Sequence, residues 1–210
     1  ETKFFYESNR RKKNRRELYI NVKTDVLLIY LAKFQPLKNQ LFMVDVMSYL
    51  PINYKLILAG PLVKSGPLLQ RDHAYFESIL YTIRLKNLEA RIEVLPKFIE
   101  NPEKYIKAAD VFIMPTTREA FGTPVYEAIA CGVPVVVNDI PGVFDQWIQN
   151  GVNGYACRLE HQEWAKKIQL AAKINPVTMK RASEEILKVA STEVIDKEYY
   201  KRLQMVVNSY

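Results

Sequence analysis

The segment VLLIYL (26–31) is apolar at every position. A strand with one wet face alternates polar and apolar residues. A run without alternation suits a strand covered on both faces. Runs of the same kind return at YKLILAG (54–60), RIEVL (91–95), DVFIMP (110–115) and VPVVVN (133–138), with a small one at GYAC (154–157). Segments with helical spacing lie between them. LKNQLFMVDVMSYL (37–50) sets Leu41, Val44 and Met47 on one face and is closed by Pro51. A helix over 72–87 takes Asp72 as its N-cap, and one over 101–109 takes Asn101, with Pro102 at the first helical position. A helix over 123–132 has Thr123 as cap, Pro124 next and Gly132 at its end. A short helix near 143–149 and helices at 160–173, 176–190 and 193–206 complete the pattern. Alternation of this kind predicts an α/β layer fold around a mostly parallel sheet. Ligands of such sheets bind beyond the carboxyl ends of the strands. Function is therefore expected in the loops 31–39, 60–67, 95–101, 115–123 and 138–143.

Composition narrows the class. A chain of 210 residues with 49% hydrophobic and 25% charged residues is long enough to bury its own core, which excludes disorder, collagen and a coiled coil. The sequence has no apolar run of membrane-spanning length, and its first residues have no apolar core of a secretory signal. Cys131 and Cys157 read as buried thiols of a reducing cytoplasm. With His73 and His161 they are scattered without zinc-ligand spacing, so no structural zinc site is expected, and no Ser or Cys stands at triad spacing from either histidine.

Charge and glycine are both uneven along the chain. RRKKNRR (10–16) carries +6 of the net +7, leaving +1 for everything else. Such a run could touch RNA, DNA or anionic lipid, but no interleaved aromatic or nucleic-acid motif accompanies it. A solvated helix face or linker is the better reading. Five of the seven glycines, Gly122, Gly132, Gly142, Gly151 and Gly154, fall in one stretch. Glycine gathers where backbone turns tightly or approaches a ligand.

The densest candidate is PTTREAFGTPVYEA (115–128). A strand ends, a polar loop follows, Gly122 permits close approach, and a helix begins. The first turn of a helix offers unpaired N–H groups, so this is a ready anion site. Glu119 and Glu127 flank it, and a carboxylate suits a pair of sugar hydroxyls because it accepts two hydrogen bonds. As a lone acid near a helix start, Glu127 would more often be structural. In AKFQPLKN (32–39), Lys33 and Lys38 flank a proline turn at a strand end, where lysine can neutralise phosphate; taken alone they read as solvated loop residues. NDIPGVF (138–144) reads as a turn that could close over the same crevice. The sequence lacks G-x-G-x-x-G, a Walker-type loop and D-x-D, so dinucleotide, NTPase and metal–diphosphate readings lose ground.

Together these strings resemble the C-terminal domain of the family-four, or group 1, glycosyltransferases of GT-B architecture. EAFGTPVYE (119–127) running into AIACGVPVVV (128–137) is similar to that family's E-x-F-G-x-x-x-x-E motif running into E-A-x-A-x-G-x-P-V-V. AADVFIMP (108–115), LILAG (56–60) and GVNGY (151–155) support the likeness, which covers roughly residues 25–205. The resemblance implies a Rossmann-like three-layer domain over 25–192 that binds a nucleotide-sugar donor, such as a UDP or GDP sugar. It implies a basic arm or linker at 1–24, and a helix at 193–210 that crosses back to an N-terminal acceptor domain. The chain is then expected to be a fragment, weak in nucleotide binding and unable to transfer. By the same resemblance Glu127 holds the ribose, Glu119 meets the donor sugar, and the backbone at Phe121, Gly122 and Thr123 approaches sugar and diphosphate. Phe98 lies in the loop whose backbone meets the base. Lys33 and Lys38 stabilise the leaving diphosphate, so the enzyme retains anomeric configuration without a metal or other cofactor. Ala32-Lys33 stands where the family has Gly-Arg, and lysine lacks arginine's bidentate fork. The implied setting is cytoplasmic, and a peripheral role at an anionic membrane is compatible with it. A GT-B nucleotide-sugar epimerase, or a non-catalytic module that uses residues 10–16, are the alternatives.

Overall fold

The computed structural model describes residues 4–7, 9–18, 26–145, 147–190 and 192–207. The part of the lead-in segment over 19–24 lies outside them. Among the described residues, the strands are β1 (Val26–Leu31), β2 (Tyr54–Ala59), β3 (Ile92–Leu95), β4 (Val111–Met114), β5 (Val135–Asn138) and β6 (Gly154–Cys157). The helices are α1 (Arg10–Glu17), α2 (Gln40–Met47), α3 (Leu69–Leu85), α4 (Pro102–Ala108), α5 (Thr123–Ala130), α6 (His161–Ala171), α7 (Pro176–Ala190) and α8 (Thr192–Val207).

The six strands form one sheet in the order β3-β2-β1-β4-β5-β6, and every pairing is parallel. The apolar runs explain this. Leu27, Leu28, Ile29, Val111, Phe112, Ile113, Val135, Val136 and Val137 are all fully buried, as strands covered on both faces require. Helices α2, α3 and α6 pack together on one face, while α1, α4, α5 and α7 pack on the other. The architecture is the expected Rossmann-like α/β fold, with strand order reversing between β1 and β4. None of the described helices is long and apolar enough to cross a membrane.

Several local expectations are corrected. The helix expected over 37–50 is split. A 3-10 turn at Pro36–Lys38 ends at Asn39, whose φ of 55° is left-handed, and α2 starts only at Gln40. Asparagine tolerates that conformation better than most residues, so it breaks the helix there. Asp72 is not a cap: α3 begins at Leu69, and Asp72 lies buried inside the first turn beside Arg71. Asn101 and Pro102 do open α4 as expected. In place of a short helix near 143–149, the described residues form turns, with Val143 N–H bonded to Ile140 O and Trp147 N–H to Phe144 O.

The basic run is not a solvated face throughout. It forms α1, which packs along α4. The Arg10 guanidinium donates to the carbonyls of Lys107 (2.9 Å), Ala109 (2.7 Å) and Gly132 (3.0 Å). Arg15 donates to Ala108 O (2.8 Å), and both Arg11 and Arg15 pair with Asp110. These carbonyls end α4 and α5, where the helix dipole is negative and the last C=O groups lack helical partners. Burial and the nearby Arg11 charge lower Arg10 to about 10, which leaves it charged at neutral pH.

Candidate functional site

The loops after β1 and β4 meet at the point where strand order reverses. Leu37 O accepts from the Thr116 hydroxyl (2.9 Å) and the Thr117 amide (2.9 Å). Asn39 Nδ2 donates to Pro115 O (3.2 Å), and the Tyr30 hydroxyl to Lys38 O (2.6 Å). Asn138, at the end of β5, ties the third loop in by donating to Thr116 O (2.9 Å). The result is an open cleft of about 420 Å³, lined among others by Gln35, Lys38, Thr117, Glu119 and Ile140.

Lys38 and Glu119, 81 positions apart in sequence, form an ion pair across this cleft. Lys38 Nζ lies 2.8 Å from Glu119 Oε2, with the two side chains 21% and 15% exposed. The other carboxylate oxygen, Oε1, accepts from the Ala120 amide at 3.0 Å, and the Phe121 amide also bonds the carboxylate. Burial alone would raise the Glu119 carboxyl, but the Lys38 hydrogen bond, the two amides and the lysine charge hold it below its usual range.

Gly122, not Thr123, is the N-cap of α5. Its φ of 77° is left-handed, and a Cβ there would lie 2.5 Å from the ring of Phe144. Phe144 is buried, so the 138–144 segment closes against the Gly122 loop, as the sequence reading allowed. Thr123 and Pro124 form the first turn, and no side chain caps it. The start of α2 differs. Its Leu41 amide donates to the Tyr75 hydroxyl at 3.0 Å, and the Gln40 amide also bonds that oxygen. Burial pushes Tyr75 up to about 12, so it is a neutral plug on that helix end. Of the two helices that start beside the cleft, only α2 has a side chain on its first amides; at α5 Pro124 has no N–H and the Val125 amide bonds Gly122 O at 2.8 Å.

The remaining predicted residues surround this centre. Phe121 is 57% exposed and leans on Tyr126 at 4.7 Å between ring centroids. Glu127 is half-buried in the second turn of α5. Burial, and then the charge of Glu103, raise its carboxyl above the ordinary value. Glu103 lies in the first turn of α4, so this coupling places that end of α4 facing α5. Phe98, 74% exposed, projects from the loop that leads into α4. Lys33 is exposed, with its own carbonyl accepting from Gln40 Nε2 at 2.9 Å. Its ammonium is not drawn into the Lys38–Glu119 pair. Gly60 lets β2 end against this loop, since a Cβ would sit 2.0 Å from Ala32 O.

His73 bonds Val63 O and His161 stacks on Phe42, both away from the cleft loops. Burial pushes both thiols, Cys131 and Cys157, up to about 12, which keeps them as unreactive packing groups. No metal-ligating cluster occurs among the described residues. Sequence reasoning missed Tyr75; it named the strings that hold Thr116, Asn138 and Phe144 without singling out these residues. Asn138 closes a strand before a turn, which is a usable signal; the other three carry none.

The family model for glycosyl transferases group 1 matches residues 10–188. The chain belongs to this family. Among curated relatives, this group 1 chain is 29% identical over 164 residues to the D-inositol 3-phosphate glycosyltransferase of Mycobacterium sp. (strain KMS), a match covering 77% of the chain and 35% of the relative. It is 26% identical over 138 residues to the N-acetyl-alpha-D-glucosaminyl L-malate synthase of Bacillus anthracis, covering 65% and 33%. The chain thus spans about a third of the length of these relatives. Among solved structures, Anabaena Alr3699/HepE in complex with UDP superposes with a TM-score of 0.85 at 21% identity, over 97% of this chain and 55% of that one. The C-terminal domain of a group 1 family protein (LpcC) from Francisella tularensis matches with a TM-score of 0.72 at 16% identity, over 90% and 96%. The group 1 fold expected from the EAFGTPVYE string is therefore the fold observed.

Proposed function

We propose that this chain is the donor-binding half of a retaining, metal-independent hexosyltransferase that uses a UDP sugar. The observation that carries the reading is the convergence of Lys38, Glu119 and the uncapped start of α5 where strand order reverses. The diphosphate lies over the amides of Gly122 and Thr123, with Lys38 and Lys33 on its other side. Glu127 accepts from the two ribose hydroxyls, Glu119 from a sugar hydroxyl, and the Phe98 loop borders the base. In transfer, the bond between the anomeric carbon and the diphosphate oxygen breaks, and its electron pair leaves with the nucleoside diphosphate. The lysines and helix amides meet that charge where it grows. The acceptor is bound by a further domain on the far side of the donor. UDP is named for the HepE complex, and UDP-glucose for another complex of the same Anabaena protein, which supports a uridine donor here.

Calorimetric titration of UDP-glucose into the parent and into Glu127→Ala tests the site. Binding by the parent, weakened about tenfold or more in the variant, is expected for a lost pair of charge-assisted hydrogen bonds. A parent silent at millimolar donor, or a variant that binds equally well, would remove the assignment.

A further inference from the structure

We propose that the Glu119 carboxylate is a tethered stand-in for the donor's diphosphate, and that it biases the site toward intact nucleotide sugar over spent nucleoside diphosphate. The inference rests on the donor-binding reading above and adds a discriminating role to one residue of that site. Lys38, one of the groups that would receive phosphate, already holds an anion. Glu119 Oε2 takes the Lys38 ammonium at 2.8 Å, while Oε1 takes the Ala120 amide at 3.0 Å, with the Phe121 amide also bonded. With only 15% of the side chain exposed, this carboxylate is seated inside the anion site.

A phosphate oxygen that takes Lys38 must therefore share the ammonium with Glu119, setting two anions against each other, or displace the carboxylate. The freed carboxylate keeps its charge in a poorly hydrated place and needs a new donor. Here the two ligands differ chemically. A diphosphate presents only acceptor oxygens to the cleft, so a nucleoside diphosphate cannot satisfy Glu119. A donor sugar presents hydroxyls, and a hydroxyl can donate to a carboxylate. The full cost of displacement falls on the spent nucleotide, and the intact donor recovers much of it. Once the sugar has left with the acceptor, Glu119 returns to Lys38 and pushes the nucleoside diphosphate off. The ion pair is then a product-release device made of two residues already at the site.

The test compares UDP and UDP-glucose by calorimetry on the parent, Glu119→Gln and Glu119→Ala, with Lys38→Gln beside them and thermal melts to verify folding. Removing the carboxylate is expected to tighten UDP about fivefold or more, because Lys38 then carries no competing anion. UDP-glucose should gain less or weaken, so the preference for intact donor falls in both Glu119 variants. Lys38→Gln should weaken both nucleotides. If the parent binds both nucleotides but neither folded Glu119 variant tightens UDP, the stand-in role is wrong while the donor reading survives. If the parent binds neither nucleotide, the donor reading itself falls and takes this inference with it.

Discussion

Glu127 carries a carboxylate where the fold prefers a neutral group. Burial and the neighbouring Glu103 raise its folded titration point above the unfolded one. Its charge therefore costs nothing below the unfolded value, and destabilises the fold as pH rises through the folded value. Glu119 has the opposite sign, since its pairing with Lys38 lowers its titration point. That pair stabilises the fold above the unfolded carboxyl value, and the stabilisation fades as pH falls through the folded one. Glu127→Gln is accordingly expected to raise Tm by roughly 2 °C at pH 7.5. It should lose that advantage near pH 3, below the ordinary glutamate range, where the Glu127 carboxyl is largely neutral in either state. Melts of parent and variant at the two pH values decide it, and a variant less stable at pH 7.5 would contradict the reading. A residue kept against its own stabilising interest fits one held for a ligand. At this scale the sequence was partly readable. Lys38 and Glu119 stood out as charged residues at strand ends, each adjoining a turn. Tyr75 did not, because it caps a helix through Leu41, 34 positions earlier, and no local pattern encodes that.

At the scale of elements, strands were the most readable part. The central runs are apolar on both faces, the edge strand β3 carries an exposed Glu93, and the segment over 154–157 falls on β6 with the expected bounds. Helix starts were less readable, since Gly122 and Asn39 break or open helices through left-handed backbone. The largest difference is α1. RRKKNRR has no apolar face, so periodicity gives no reason for it to pack. Its reason is tertiary: α4 and α5 both end beside it with unpaired carbonyls, and Arg10 spans the two ends. Removing that side chain leaves three carbonyls without their charged donor. Arg10→Ala is expected to destabilise by about 2–4 kcal/mol. In a chain of this size, that lowers Tm by roughly 5–10 °C. Arg10→Lys should restore only part, because an ammonium is a point donor and cannot bridge three carbonyls as a planar fork does. Lys13→Ala is the control. Its side chain is 57% exposed and, among the described residues, pairs with Glu7 at 3.6 Å, so it should shift stability by no more than about 0.5 kcal/mol. Urea titrations give all three numbers. An Arg10→Ala variant as stable as Lys13→Ala would show that α1 is only resting on the domain. The same result bears on the nucleic-acid and lipid alternative, since Arg10, Arg11 and Arg15 of that run are engaged with α4, α5 and Asp110.

For the molecule as a whole, alternation of strands and helices announced the fold class but not the strand order. Order decides function here, because only β1 beside β4 brings residues 32–39 against 115–123. The handedness of parallel crossovers allows that order among few others, and the family string chose it. In the proposed site the diphosphate meets Lys33, Lys38 and helix amides, and no metal-ligating cluster occurs among the described residues. The site's binding energy for a diphosphate should therefore not depend on a metal. A ligand that binds only the folded chain stabilises it by about 2.7 kcal/mol at a hundred times its Kd. That corresponds to a rise in Tm of roughly 5–10 °C here. UDP-glucose is expected to produce such a shift, GDP sugars a smaller one, and uridine, which lacks the diphosphate, almost none. Adding EDTA or magnesium should leave the UDP-glucose shift unchanged, because the lysines already supply the positive charge. A shift that EDTA abolishes would mean that the diphosphate is held through a cation, and the electrostatic role given to Lys33 and Lys38 would have to be withdrawn.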